Sequence, residues 1–349
     1  MRKPVSFFKI LALAAFFATG AFAAGEPWTL VMLPDTQNYS NKSRFDIYTS
    51  QTQWIVDNLA KENIKFVTHV GDLVNHAKET NEWHYAAAAM DILNGKVPYG
   101  VCPGNHDLGP LYLEHMGADA PRWKGKDGKL LSTIVGFAPG GMSSAHLINV
   151  DGQRFLFLQL NLDCPGTLDD PQTDLGWAQS IINKHRGIPT VMSTHHYHAT
   201  RASVERRHLP AEEQRGPSEK PQRKGGNSPM FMRENFVKKN NEIFLVLCGH
   251  NHLQYHTLVT NDFGNVTHEV LADYQAMSNG GNGFLRLMKF VPAENKIEVS
   301  TYSPWLKRMM TNPTSKEDAK GLSPDLTDPE GASFTLKTDF DTRFGKNKK

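Results

Sequence analysis

A chain of 349 residues with 39% hydrophobic and 21% charged positions has the balance of an ordinary globular protein, long enough for one large or two small cores and too apolar for a disordered chain. The formal net charge is +2, and Arg2, Lys3 and Lys9 carry three of the positive charges, so no global basic field points to nucleic acid as the partner. Cys102, Cys164 and Cys248 cannot all pair within one chain and match no zinc-ribbon or CxxC spacing, which excludes a disulfide scaffold. Cys102 and Cys248 each end an apolar run and read as small buried hydrophobes.

Residues 1–23 read as a secretory signal peptide: basic residues precede the apolar run Ile10 to Phe17, and Ala21-Phe22-Ala23 offers small residues for cleavage. That run is well short of the roughly 20 residues a spanning helix needs, and no later segment supplies one. The mature chain is therefore expected to be exported, periplasmic or secreted, without a membrane anchor. The run from Thr29 to Pro34 is the first strand. Tyr48, Thr52, Ile55 and Leu59 then recur at helical spacing, which predicts an amphipathic helix over Arg44 to Lys61. The second strand starts at Lys65. A second helix runs from about Asn81 to Leu93, with Trp83, Ala87 and Met90 inward and Gly95 as its stop, before a third strand, Val97 to Cys102. This strand-helix alternation predicts parallel neighbours joined by right-handed crossovers.

Beyond Gly140 the chain reads as a hairpin turned by Asp151-Gly152, a helix from Thr173 to His185, and another strand from Pro189 to Thr194. Ala199 to Pro229 is polar and without apolar period, a long surface loop. A helix around Phe231 to Lys239, the run Ile243 to Cys248 and a series of strands through Ser303 follow. Residues 24–306 form the expected domain, with 307–349 a polar extension that wraps the surface or is partly mobile.

Five of the apolar runs end in a residue able to bind a metal: Asp35, Asp72, Asn105, His195, and His250 with His252 two places on. Cys102 to Asp107 taken alone is ordinary turn composition. In an open α/β sheet, however, the loops at the carboxyl ends of the strands share one edge, so residues this far apart can converge. Two carboxylates, one amide and three imidazoles, with Gln37 nearby, are oxygen and nitrogen donors suited to zinc, manganese or iron. Seven donors are too many for one tetrahedral ion and suit two ions about 3.5–4 Å apart.

The ordered motifs Pro34-Asp-Thr-Gln37, Gly71-Asp-Leu-Val-Asn75, Pro103-Gly-Asn-His-Asp107, Ser193-Thr-His-His196 and Cys248-Gly-His-Asn-His252 resemble the calcineurin-like metallophosphoesterases, over Thr29 to about Ser303. The resemblance implies an α/β fold of two packed mixed β-sheets flanked by helices, a four-layer sandwich. It implies two transition-metal ions: Asp35 and His252 on the first, with Gln37 in reach; Asn105, His195 and His250 on the second; Asp72 bridging them. It implies in-line attack on phosphorus by a metal-bound hydroxide, with His106 as the acid that protonates the leaving group and Asp107 orienting and charging that imidazole.

Two positions depart from the common pattern. Gln37 replaces the histidine of Asp-x-His, as in a bacterial exported subgroup of the family with the same Asp-Thr-Gln, and can still bind through its amide oxygen. Asn75 stands where the purple acid phosphatases carry an iron-bound tyrosinate, which argues against a purple ferric centre. His196 is expected to contact substrate or back the ligand His195, and Asn105 to touch substrate as well as metal. Arg201 opens a charged loop that starts at the active-site edge and is expected to act as a lid with phosphate contacts. His69, His76, His146 and His256 read as structural. The expected activity is hydrolysis of phosphate monoesters or diesters, the partner a phosphorylated small molecule. A nucleotide or cyclic-nucleotide phosphodiesterase shares the same metal core, and a metal-binding surface protein that keeps the fold without turnover is the rival from another class.

Overall fold

The computed structural model describes residues 25–199, 216–320 and 331–345. The expected signal peptide lies outside them. Strands β1 (Trp28–Leu33), β2 (Ile64–His69) and β3 (Tyr99–Val101) pair in parallel through crossovers that carry helices α1 (Phe45–Asp57) and α2 (Thr80–Asp91). After α3 (Pro110–His115) come β4 (Ile134–Phe137), β5 (Ser144–Val150), β6 (Gln153–Gln159), α4 (Asp174–Lys184) and β7 (Thr190–Ser193). His198–Ala199 (β8) and Gly216–Pro217 (β9) form a two-stranded ribbon. The rest is strand-rich: β10 (Ile243–Cys248), β11 (Leu253–Thr260), β12 (Val266–Asp273), β13 (Leu285–Val291), β14 (Lys296–Ser303), β15 (Arg308–Met309) and β16 (Phe334–Lys337).

The strands build two mixed sheets. One runs β15-β14-β13-β1-β2-β3, with β16 also on β14; the other runs β11-β12-β10-β7-β6-β5-β4. Alternation along each strand explains why they pack face to face with helices outside. In β1, Leu30 and Met32 point into the core between the sheets, while Val31 and Leu33 join the layer under α1 and α2. In β6, Phe155 and Phe157 face the inter-sheet core, and Leu156 and Leu158 face α4. Phe66 stacks on Phe157 across the interface with centroids 4.0 Å apart. Strands buried on both faces need continuous apolar runs, and these runs are what the sequence shows.

Three expectations shift. The first helix ends at Asp57, because the Asn58 carboxamide bonds back to the Trp54 carbonyl and the chain turns through Asn63 at φ 47° to enter β2. The helix near Phe231 is one α-turn, Pro229–Met232, continued by a wider π-turn, Arg233–Val237. The segment after Lys307 is more than a wrap. Met310, Ala332, Leu336, Phe340 and Phe344 are buried in the inter-sheet core, and Phe340 lies edge-on to Phe244 at 5.0 Å. A few spaced aromatics in a polar tail close that core.

Parallel pairing sets the site. β1, β2 and β3 in one sheet and β7 and β10 in the other deliver their carboxyl ends to a common edge, where backbone bonds interlock the following turns. Thr36 N–H donates to the Asp72 carbonyl, and Gly249 N–H to that of His195, each at 3.0 Å.

Candidate metal centre

Asp72, His195 and His250 offer ligand atoms that all lie within 4.8 Å of one another. His195 is held by its Nδ1–H, which donates to the Val70 carbonyl at 2.8 Å. A carbonyl only accepts, so Nδ1 carries the proton and Nε2 faces inward, 3.1 Å from Asn105 Oδ1 and 3.2 Å from Asp72 Oδ2. Asp72 adopts φ 52° in the turn after β2, and its Oδ1 accepts the His106 N–H at 3.0 Å. Gly104 packs against this turn so closely that a Cβ there would fall 2.0 Å from Asp72 Oδ1 and 2.4 Å from its backbone nitrogen. The glycine of the Pro-Gly-Asn motif is thus a steric requirement of the carboxylate's position.

Asp35 sits beside this trio, buried, accepting the His250 N–H at 3.1 Å through Oδ2. Gly249 permits that approach, since a Cβ would come within 2.1 Å of Asp35 Oδ1. Gln37 is only 7% exposed, and its Oε1 has no hydrogen-bond partner. A cleft of about 390 Å³ lies over the cluster, lined among others by Gln37, Asp72, Asn105, His106, His250 and His252. His252 is on its exposed rim.

His106 and Asp107 occupy the same turn but do not form the expected pair. His106 Nδ1–H donates to the Asn75 carbonyl at 2.7 Å, which leaves Nε2 as the other ring nitrogen of a half-buried side chain lining the cleft. Asp107 is fully buried and bonds backbone instead: Oδ1 accepts Leu73 N–H at 2.9 Å and Val74 N–H at 3.2 Å, and Oδ2 accepts Gly104 N–H at 2.8 Å. The expectation that Asp107 orients and charges His106 is corrected: a carbonyl orients the imidazole, and Asp107 ties the turn after β2 to the turn after β3. His69 does similar work. It accepts the Gly71 N–H at Nδ1 and donates from Nε2 to Thr36 Oγ1 at 3.0 Å.

His196 lies against the trio without joining it. Its Nδ1 donates to Asp163 Oδ1 at 2.8 Å, and its ring lies edge-on to His250 with centroids 5.0 Å apart. Asp163 also accepts the backbone N–H groups of Gln222 and Arg223, so it anchors the returning end of the charged loop beside the site. Arg201 lies outside the described residues. Behind the turn holding His250 and His252, Asn251 Nδ2 donates to the His198 carbonyl, and a buried network joins Tyr197 Oη and Arg233 to Glu269.

Charge is concentrated in this pocket. Burial and the neighbouring Asp273 push the Asp35 carboxyl well above its usual range. Burial would also raise Asp72, but His195 and the His106 N–H hold it below. Burial disfavours an imidazolium at His195, yet Asp72 and Asp35 outweigh it and push the group up to about 10. Burial, with His195 and His196, lowers His250 to about 3, the neutral form a metal ligand needs. Donor chemistry, the unpartnered Gln37 Oε1 and the inward-facing His195 Nε2 fit bound metal.

The sequence reading does not single out Asp163, Asp273 or Gln275, although the strand-end rule that gave the other candidate ligands reaches Asp163 and Asp273. Asp273 ends the apolar run of β12, and Asp163 closely follows that of β6.

Fold and donor set together define an α/β sandwich that gathers carboxylate, amide and imidazole donors at its strand ends. Residues 35–254, more than half of the chain, match the family model for calcineurin-like phosphoesterases, and the chain belongs to that family. An uncharacterized protein of Bacillus subtilis (strain 168), YvnB, is 29% identical over 321 residues; the match covers 87% of this chain and 22% of that protein. The chain therefore spans less than a quarter of that relative's length. Yellow lupin purple acid phosphatase PPD1 aligns over 90% of this chain and 55% of its own, at 12% identity and TM-score 0.48. GAP50, the anchor in the inner membrane complex of Plasmodium, aligns over 82% and 87%, at 11% identity and TM-score 0.46.

Proposed function

We propose that this chain is an exported, metal-dependent hydrolase of phosphate monoesters or diesters that holds two ions of manganese, zinc or iron. The observation that carries this reading is the convergence of Asp72, His195 and His250, from both sheets, on one point of a cleft that His106 also lines. Asp35, Gln37 and His252 would hold one ion and Asn105, His195 and His250 the other, with Asp72 available to both. When bound, the ions polarise the phosphoryl group and activate water near neutral pH.

The chain's own groups do the rest. Asp72 is pinned by the His106 N–H. His106, with Nδ1 engaged by the Asn75 carbonyl, presents Nε2 to the leaving oxygen and donates a proton there, which removes the charge that makes departure slow. Asn75 itself places its side chain on His76, which is in keeping with a centre other than the purple ferric type. Among the described residues the cleft is lined mainly by polar side chains, among them Asn38, Asn105 and Gln275, in keeping with a polar ester substrate. Export rests on the basic and apolar residues at 2–17. Among the described residues no helix is long and apolar enough to cross a membrane.

Parallel assays on chromogenic phosphate mono- and diesters, with manganese, zinc or iron restored to chelator-treated protein, test the activity and separate the two ester classes. Hydrolysis of neither, with every metal, rejects the reading.

A further inference from the structure

We propose that Asp273 and Gln275 complete the first metal site, Gln275 as a ligand through its side-chain oxygen and Asp273 as the residue that aims it. The inference rests on the dinuclear reading above and adds two residues to it.

β12 runs parallel to β10, so its carboxyl end reaches the same edge, and Asp273 pairs in register with Leu253, the residue after His252. Asp273 is fully buried and spends both oxygens on one neighbour: Oδ1 accepts the Gln275 N–H at 2.8 Å and Oδ2 accepts Gln275 Nε2 at 3.1 Å. A carboxylate only accepts, so the amide nitrogen must face it and Oε1 must point the other way. That Oε1 is buried without a hydrogen-bond partner, on a residue that lines the cleft. The Gln275 backbone carbonyl accepts Asn38 Nδ2 at 3.2 Å, which places it against the segment carrying Gln37, whose Oε1 is likewise buried and unpartnered.

Two buried amide oxygens without partners, on residues that line one cleft, are costly in a folded chain unless something positive satisfies them. A cation held by Asp35, Asp72, His252 and the two glutamines does so. The completed site has one imidazole among oxygens, whereas the second site has two imidazoles and Asn105. The first therefore suits a harder ion such as Mn²⁺, and the second tolerates Zn²⁺ better.

The test uses the full chain stripped by chelator and titrated with Mn²⁺ alone or Zn²⁺ alone, with bound metal counted by elemental analysis and Mn²⁺ followed by electron paramagnetic resonance. Wild type should bind two ions. Gln275→Ala should weaken one Mn²⁺ site roughly 10–100-fold, leave the other unchanged, and shift the weakened site toward Zn²⁺. Asp273→Asn should do the same, because its amide lets Gln275 turn its nitrogen toward the metal. Two Mn²⁺ sites of wild-type affinity in folded Gln275→Ala overturn the assignment, whatever Asp273→Asn does to folding. Wild type holding no more than one ion overturns the dinuclear reading, and this assignment with it, before any variant is made.

Discussion

Replacing Asp107 with asparagine separates two roles for that carboxylate. In the structure it touches three backbone N–H groups, two through Oδ1 and one through Oδ2. Asparagine keeps one oxygen. The least costly placement sets that oxygen on Leu73 and Val74 and turns the amide nitrogen toward Gly104 N–H, leaving a buried donor facing a donor. Such an unsatisfied group costs about 1–3 kcal/mol. The loss loosens the contact between the turns that carry Asp72 and Asn105, so metal holding and rate should fall together. Because the Asn75 carbonyl, not Asp107, orients His106, the rate should fall by the same factor for every leaving group. Urea unfolding gives the stability change, and rates across a series of phosphate esters of rising leaving-group pKa give the second. A loss confined to poor leaving groups would show that Asp107 acts through the proton on His106, and would refute this reasoning.

His106→Asn should show that selective pattern instead: turnover of an alkyl phosphate falling roughly 10²–10⁴-fold, a much smaller loss with an activated phenol, and unchanged metal content by elemental analysis. Gly104→Ala forces a Cβ to 2.0 Å from Asp72 Oδ1, so stability should drop by about 1–3 kcal/mol or more, with loss of bound metal, measured by denaturant midpoint and metal content. Burial alone would raise Glu269, but His198 and Arg233 outweigh it and hold it at about 2 against an ordinary 4.5. A depressed carboxylate stabilises the fold above its unfolded pKa, so a contribution of roughly 3 kcal/mol should fade as pH falls from 4.5 through about 2; unfolding curves of wild type and Glu269→Gln across that window should converge.

The convergence of Asp72, His195 and His250 is legible because parallel strands put their carboxyl ends on one edge, and a side chain able to bind metal that closes an apolar run is visible in one dimension. The glycines of the motifs were legible only as turns; their closeness to Asp35 and Asp72 needed coordinates. Asp107 was misassigned for a related reason. Adjacency in sequence brought His106 and Asp107 together, but successive side chains in a tight turn diverge, and the buried one satisfied backbone amides from the neighbouring turn. Asp273 closes an apolar run as the other candidates do, whereas Gln275 carries no such mark, because nothing local in the sequence shows an amide oxygen to be unpartnered. Phe340 and Phe344 lie in a polar tail where hydrophobic periodicity is too sparse to register, yet the open end of the inter-sheet core accepts them.

If one carboxylate serves two ions, its loss shows first in the metal content per chain. Wild type and Asp72→Ala, both purified without chelator and supplemented with manganese or zinc, should differ sharply in elemental analysis. Wild type should hold about two ions and the variant neither tightly, because the proposed sites share Asp72. No more than one ion in wild type, or two retained in Asp72→Ala, would contradict that sharing.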